Sequence, residues 1–325
     1  MTLSMDRNTA GPQPALEMRG ISKAFGHVQA LDNVDFEVHA GELLALVGDN
    51  GAGKSTLVKI LSGVYRADRG DIYVDGARVQ IECPSDATKA GIATVYQDLN
   101  LVPNRDVASN IYLGLEPTRG MILLNRAKMF ADAEAVLGTL GIKLPSVKVD
   151  VADLSGGQRQ AVAIGRALAR GGRFILMDEP TASLDPEASH MVREFIEKLS
   201  GEGRTIFLCT HNLDEADRLC TRIGVFKTSL MVVDTPANLR AKVFQRRVVF
   251  HLAKADKALA DLVAGLPYVK QVELLDNKLI VAQDEPEAHN PEIIRLLVRA
   301  GAEIQFVGEI RRSLEDVYLQ LMKEQ

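Results

Sequence analysis

The chain has 325 residues, of which 46 % are hydrophobic and 25 % are charged, and its formal net charge is −5. These are ordinary globular values, so we expect two folded domains and exclude a fibrous or largely disordered chain. The acidic excess argues against nucleic-acid binding through bulk electrostatics, and the three unpaired cysteines indicate a reducing compartment such as the cytosol.

The first fourteen residues, MTLSMDRNTAGPQP, contain no apolar stretch and are predicted to form a flexible N-terminus rather than a signal peptide. No apolar run in the chain approaches the ~18 residues that a membrane-spanning helix needs. We therefore expect no direct membrane insertion, and a role at a membrane would require another chain to span it.

A glycine-rich loop follows the first strongly predicted strand. The apolar run LLALV at 43–47 predicts a buried strand, and the apolar residues after Ser55 recur at helical spacing. Between them, GDNGAGKST fits G-x-x-x-x-G-K-[ST], in which backbone N–H groups wrap a phosphate chain, Lys54 neutralises the outer phosphates and Ser55 offers a hydroxyl to Mg²⁺. The flanking strand and helix disfavour a chance glycine turn. The expected nucleotide-binding residues here are Gly48, Asp49, Asn50, Gly51, Ala52, Gly53, Lys54, Ser55 and Thr56.

A second candidate anion site lies at LSGGQRQ, residues 154–160. After a mostly helical pattern over 107–140, broken at Pro117 and Gly120, Ser155 and Gln158 form a capping-box pattern that predicts a helix over 155–170. The start of a helix directs unpaired N–H groups and a partial positive charge at its surroundings. The motif is therefore either a simple helix cap or a second contact to phosphate.

Two carboxylates follow the next buried strand, FILM at 174–177. Open α/β sheets place ligands at the carboxyl ends of their strands. Beside a phosphate loop, Asp178 is suited to hold Mg²⁺ through water and Glu179 to take a proton from an attacking water, whereas an isolated pair would be a solvated strand end. After a predicted helix, His211 ends the apolar strand TIFLCT; taken alone it indicates a structural or solvated residue, because a metal site with Cys209 lacks further ligands.

The alternation of strands and helices predicts an α/β fold with a mostly parallel sheet. From about Gln245 the pattern changes to βαββαβα, which predicts a separate small α+β domain with an antiparallel sheet and a polar loop, DEPEAHNPE, at 284–292. We find no phosphate motif in that segment.

Phe25 is followed along the chain by the stretches GDNGAGKST, VYQD, LSGGQRQ, LMDEPTASLD and CTHN. The order and spacing of these motifs resemble those of the ATP-binding cassette ATPases of membrane transporters. The resemblance covers roughly residues 15–240, with a helical subdomain at about 98–165 and an accessory domain at 245–325. It implies that Phe25 stacks on adenine, that Gln97 links Mg²⁺ and the attacking water to the membrane partner, and that His211 senses the γ-phosphate. It assigns catalysis to Glu179, His211, Gln97 and Lys54, and Mg²⁺ to Ser55, Gln97 and Asp178.

The resemblance also gives the second phosphate contact a role. In this family the signature residues Ser155, Gly156, Gly157 and Gln158 close over the ATP of a facing cassette, and Asp185 lies in the loop that crosses to it. We therefore expect a homodimer or heterodimer of cassettes that binds ATP and Mg²⁺ between its subunits. The expected partner is a transmembrane permease, and the expected location is cytoplasmic, on the inner face of the cell membrane.

The direction of transport has opposing indications. Residues 17–180 are similar to sugar-importer cassettes, whereas the chain from THNLDEADRL onward resembles drug-, lipid- or polysaccharide-exporting ATPases. Because the histidine segment agrees with the whole C-terminal domain, we expect export. The alternatives are a carbohydrate importer subunit and a soluble, non-transport cassette ATPase.

Overall fold

The computed structural model describes residues 13–120, 123–142, 144–310 and 312–323. All but two residues of the predicted flexible N-terminus, residues 1–14, lie outside the described residues. The chain divides into two compact units, one ending at Asp234 and the other beginning at Thr235.

The N-terminal unit is a mixed α/β structure. Its strands are β1 (Leu16–Phe25), β2 (Val28–Val38), β3 (Leu43–Val47), β4 (Arg69–Val74), β5 (Ala77–Val79), β6 (Ile92–Val95), β7 (Thr118–Arg119), β8 (Leu123–Leu124), β9 (Phe174–Asp178), β10 (Thr205–Thr210), β11 (Arg222–Lys227) and β12 (Ser229–Asp234). Its helices are α1 (Lys54–Leu61), α2 (Pro84–Lys89), α3 (Val107–Ile111), α4 (Arg126–Leu140), α5 (Gly156–Ala169), α6 (Pro186–Gly201) and α7 (Leu213–Leu219), with a short 3-10 helix at Val151–Asp153.

Within the described residues, the main sheet has the strand order β12-β11-β3-β10-β9-β6. All neighbours are parallel except β12, which pairs antiparallel with β11. Every residue of β3 and β9 is buried, as their continuous apolar runs predict. Since these strands run in the same direction, the loops after β3, β6, β9 and β10 meet at one edge of the sheet.

A smaller antiparallel sheet has the order β2-β1-β4-β5, and its apolar residues share one core with α1 and the main sheet. A separate core is formed by α3, α4 and α5, through residues such as Val107, Met129 and Val162. The helical pattern over 107–140 is correct only in part, because β7 and β8 form a short hairpin between α3 and α4. Pro117 and Gly120, predicted as breakers, lie at this interruption.

The C-terminal unit is a four-stranded antiparallel sheet with helices, in agreement with the predicted βαββαβα order. Its elements are α8 (Pro236–Val243), β13 (Arg247–Leu252), α9 (Lys257–Ala264), β14 (Val269–Leu275), β15 (Lys278–Gln283), α10 (Pro286–Arg299), β16 (Ile304–Ile310) and α11 (Leu314–Lys323). The described strands follow the order β14-β15-β13-β16, and the apolar sides of α9 and α10 share the core of the sheet.

The polar loop predicted at 284–292 is wrong, because α10 already begins at Pro286. A proline in the first turn of a helix costs little, since its missing N–H would have no intrahelical partner. Ile293 and Leu297 are fully buried and anchor the following turns, so the helix persists despite Pro291 in its interior. None of the helices in the described part of the chain is long and apolar enough to cross a membrane.

Candidate active site

The glycine-rich loop connects β3 to α1, and glycines at two of its positions let its backbone pack closely against neighbouring backbone. A Cβ on Gly48 would lie 2.3 Å from the Phe226 carbonyl oxygen, and one on Gly53 would lie 2.4 Å from the Ala30 carbonyl oxygen. Gly53 caps α1 with φ 106°, a conformation that favours glycine. The first N–H groups of α1 have no partner within the helix, so the loop presents donors to an anion.

Lys54 is the buried cation of this loop. It is 5 % exposed, and its Nζ donates hydrogen bonds to the carbonyl oxygens of Gly48 and Asp49 at 2.7 and 3.2 Å. The Glu179 carboxylate lies 3.8 Å from the same nitrogen. The charge is therefore held where the outer phosphates of a nucleotide in the loop would lie.

The residues predicted to hold Mg²⁺ fit that ion in part. The Ser55 hydroxyl donates a 3.1 Å hydrogen bond to Asp178 Oδ1, which brings two hard oxygen donors together beside the phosphate loop. Burial raises the pKa of Asp178, although the Ser55 hydrogen bond opposes this shift. Gln97 is exposed, two residues beyond β6 at the same sheet edge, and no hydrogen bond among the described residues joins it to Ser55 or Asp178.

Glu179 and His211 are brought together by the register of β9 and β10, in which Asp178 is paired with Cys209. Glu179 Oε2 lies 2.8 Å from His211 Nδ1, and its backbone N–H donates to the Cys209 carbonyl oxygen at 2.8 Å. Glu179 adopts φ 50°, an uncommon value outside glycine that is found at functional sites. The carboxylate is 9 % exposed, so it contacts Lys54 and His211 in a largely water-excluded setting.

Sequence reasoning missed three polar residues behind this pair. Thr210 Oγ1 lies 3.4 Å from Glu179 Oε2 and 3.3 Å from Glu215 Oε2, and Thr181 Oγ1 lies 3.1 Å from the same Glu215 oxygen. Glu215 is 2 % exposed. The sequence could not have revealed it, because a glutamate in the first turn of a helix usually faces solvent.

The signature segment begins α5 as predicted. Ser155 caps the helix by accepting from the Gln158 N–H at 3.3 Å, and the Gln158 side chain accepts from the Ser155 N–H at 3.0 Å. Ser155 is exposed, whereas a Cβ on Gly157 would lie 3.1 Å from the Ala188 Cβ. The helix packs on α3, α4, α6 and the edge strand β6, whereas α1 packs on β2, β9 and β10, so the two predicted phosphate contacts have different neighbours within the unit.

The two remaining predicted residues have distinct settings. Phe25 ends β1 with 42 % of its surface exposed, and its ring meets Tyr65 edge-on at a centroid distance of 5.2 Å. This exposed ring is suited to stacking. Asp185 caps α6 by accepting from the Ala188 N–H at 2.8 Å, so its position is fixed by the helix that it begins.

Comparison with known proteins identifies close relatives of the N-terminal unit. A family model described as ABC transporter matches residues 31–182. The xylose/arabinose import ATP-binding protein XylG of Sulfolobus acidocaldarius is 45 % identical over 210 residues, which cover 65 % of this chain and 83 % of that protein. The ribose import ATP-binding protein RbsA of Yersinia pestis is 42 % identical over 294 residues, which cover 89 % of this chain and 57 % of that protein.

Solved structures give the same fold. The ADP conformation of MJ1267, an ATP-binding cassette of an ABC transporter, matches with a TM-score of 0.63 and 26 % identity over 71 % of this chain and 95 % of that one. The dimeric structure of MJ0796, a bacterial ABC transporter cassette, matches with a TM-score of 0.58 and 26 % identity over 68 % of this chain and 98 % of that one.

These relatives correct the expectation of export. Both sequence relatives are named as import proteins, and since the Yersinia pestis match covers 89 % of this chain it extends into the C-terminal unit. The exporter-like interpretation of the C-terminal segment is therefore not supported. The chain spans about half the length of the ribose import relatives, from 43 to 57 %.

Proposed function

Because the chain belongs to the ABC transporter family of ATP-binding cassettes, we propose that it binds and hydrolyses ATP to power the import of a sugar through a separate membrane permease. The observation that carries the hydrolytic part is the meeting of Lys54, Glu179 and His211 beside the phosphate loop. The import names of the relatives support the direction and the class of substrate.

ATP binding is assigned to the loop between β3 and α1. The N–H groups at the start of α1 and the Lys54 ammonium would hold the phosphates, and the exposed ring of Phe25 would stack on the base. Ser55 and Asp178 would hold Mg²⁺, with Gln97 reaching the same ion. When bound, that ion neutralises charge on the phosphate oxygens.

Hydrolysis is assigned to Glu179 as general base. Its carboxylate is fixed from two sides, by His211 at 2.8 Å and by Lys54 at 3.8 Å. A fixed carboxylate orients the attacking water and accepts its proton as the bond to the γ-phosphorus forms. His211, with 56 % of its side chain exposed, contacts Glu179 and would also reach the γ-phosphate of a bound nucleotide.

The complete site requires two cassettes. The exposed start of α5 would contact the γ-phosphate held by the facing chain, and Asp185 would contribute to the same interface. MJ0796, which has the same fold, has a dimeric structure. ATP then acts as the ligand that favours the closed pair, and hydrolysis releases it.

The test of the hydrolytic role is Glu179→Gln. Turnover is expected to fall at least about 100-fold, the usual contribution of a general base, while the Kd for ATP changes little and ATP–Mg²⁺ traps a dimer. ATPase assays, nucleotide titration and sedimentation measure the three quantities. Retention of near-normal hydrolysis would remove Glu179 from its role.

A matched control is Glu42→Gln. Glu42 is also a buried carboxylate of the N-terminal unit, 3.2 Å from Arg222, but it precedes β3 and so lies at the opposite edge of the main sheet from the phosphate loop. Turnover should be retained in this variant if the loss in Glu179→Gln is catalytic.

The direction of transport is tested in cells whose transporter uses this chain as its ATP-hydrolysing subunit. Uptake of labelled xylose, arabinose or ribose should disappear when the wild-type chain is replaced by Glu179→Gln. Normal uptake of all three sugars, with a loss of efflux of another compound, would refute sugar import.

A further inference from the structure

The most enclosed acidic side chain near the site is Glu215, in the first turn of α7. Its Oε2 accepts one hydrogen bond from Thr181 Oγ1 at 3.1 Å and lies 3.3 Å from Thr210 Oγ1. Thr181 lies in the loop between Glu179 and Asp185, and Thr210 directly precedes His211. Glu215 therefore connects the two loops that carry the proposed catalytic residues.

The hydroxyl group of Thr210 faces two carboxyl groups. Its oxygen lies 3.4 Å from Glu179 Oε2 and 3.3 Å from Glu215 Oε2, and it accepts a hydrogen bond from the Asn212 N–H at 3.0 Å. A hydroxyl has one proton and two lone pairs, so Thr210 can donate to only one of the two carboxyl groups. The other carboxyl group must donate to Thr210 for both contacts to be hydrogen bonds.

The surroundings indicate which carboxyl group is the donor. Burial raises the pKa of Glu215, and the charge of Glu179 adds to this effect, whereas the hydrogen-bond contacts with Thr181 and Thr210 and the charge of Arg193 oppose it. Glu215 Oε1 is buried without a hydrogen-bond partner in the described part of the chain. A lone buried oxygen costs less on a neutral carboxyl group than on an ionised one.

We propose that Glu215 is a positioning residue for Glu179. As a neutral acid it donates to Thr210, which in turn donates to Glu179 and fixes the orientation of the catalytic carboxylate. Its bond with Thr181 holds the loop that leads to Asp185 in register with the loop that carries His211. This inference rests on the proposed ATPase function and adds Glu215, which lies outside the motif stretches named in the sequence analysis.

The first test compares Glu215→Gln with Glu215→Ala. The glutamine side chain is neutral and has a donor, so its kcat should stay within about threefold of the wild-type value, whereas alanine should lower kcat by about tenfold or more. The KM for ATP should change less than about twofold in both, because the loss concerns the chemical step. If the two substitutions only destabilised the fold, the fraction of active protein would fall in both variants.

A second pair of variants decides the matter if Glu215→Ala does not fold. Thr210→Val removes the hydroxyl that links Glu215 to Glu179 and should lower kcat. Thr210→Ser keeps this hydroxyl and should have a kcat close to the wild-type value. The matched control is Thr205→Val, a buried threonine at the other end of β10 whose hydroxyl accepts from the Gly41 N–H at 3.0 Å. This control should keep the wild-type kcat.

The proposal is overturned if Thr210→Val has the wild-type kcat, or if Glu215→Gln is as impaired as alanine at this position. Failure of the proposed function gives a different result. In that case the wild-type chain hydrolyses no ATP, or Glu179→Gln retains turnover, regardless of what happens at Glu215.

Discussion

Lys54 holds a buried positive charge in the phosphate loop. Its ammonium group is buried, and its hydrogen bonds go to two backbone carbonyl oxygens of the phosphate loop. Carbonyl groups solvate the cation without cancelling its charge, so it remains available to a phosphate. The Glu179 carboxylate, 3.8 Å away, contributes the only ion pair of Lys54 among the described residues.

Replacing Lys54 by alanine should therefore raise the Kd for ATP by about tenfold or more, or about 1.4 kcal/mol, because the outer phosphates lose their nearest fixed cation. Titration with a fluorescent ATP analogue measures the change. Lys59→Ala is the control, since Lys59 lies in the last turn of the same helix, beside the Tyr65 ring. An unchanged affinity in Lys54→Ala would show that Lys54 does not contact phosphate.

For single residues, the sequence predicts a role when that role follows from the neighbouring residues along the chain. Lys54 and Ser55 belong to one contiguous motif, and Asp178 follows a recognisable buried strand. Glu215 and Thr210 could not be predicted, because their role depends on burial and on contacts between two loops. Sequence spacing does not contain that information.

At the scale of elements, α5 combines a structural and a proposed binding role in one residue. Ser155 satisfies the helix start through its hydroxyl and at the same time presents that exposed start to solvent. The two roles can be separated, because aspartate caps helices as well as serine but places a negative charge in front of the N–H groups.

Ser155→Ala should lose about 1 kcal/mol of stability, the usual value of a cap, whereas Ser155→Asp should keep its Tm. Both should lower ATP turnover, and Ser155→Asp more strongly, because its charge repels the γ-phosphate. Neither should weaken ATP binding to a monomer. Thermal melts and ATPase assays measure these effects.

The control is Asn125→Asp, which makes the same change of charge at the cap of α4, where the side chain accepts from the Lys128 N–H at 3.2 Å. It should leave turnover unchanged. Full activity in Ser155→Asp would contradict a phosphate contact at the signature segment.

Element bounds were predictable where the sequence gives both a start and a stop. The bounds of α5 follow from its capping box and from Gly171 and Gly172 after it. The start of α10 was missed because two prolines and several polar residues read as a loop. Its helical state depends on the burial of Ile293 and Leu297, which is a tertiary effect.

At the scale of the whole molecule, the direction of transport was the weakest inference from the sequence. Packing two helices on an antiparallel sheet is a common way to bury one face of that sheet, and it carries no transport chemistry. The resemblance of this unit to exporter segments was therefore a poor guide. The import names of the relatives, one of which matches 89 % of the chain, are the better support.

The central claim is that one nucleotide is held by the phosphate loop of one chain and the signature segment of another. The most direct test is single-turnover ATP hydrolysis in an equimolar mixture of Lys54→Ala and Ser155→Asp chains. At an ATP concentration well below the raised Kd of Lys54→Ala, each variant alone should hydrolyse little ATP, but a mixed pair contains one site with both halves intact, so random pairing should restore about a quarter of the wild-type sites. A mixture as inactive as its separate components, under conditions where the wild-type chain turns over, would contradict the shared site.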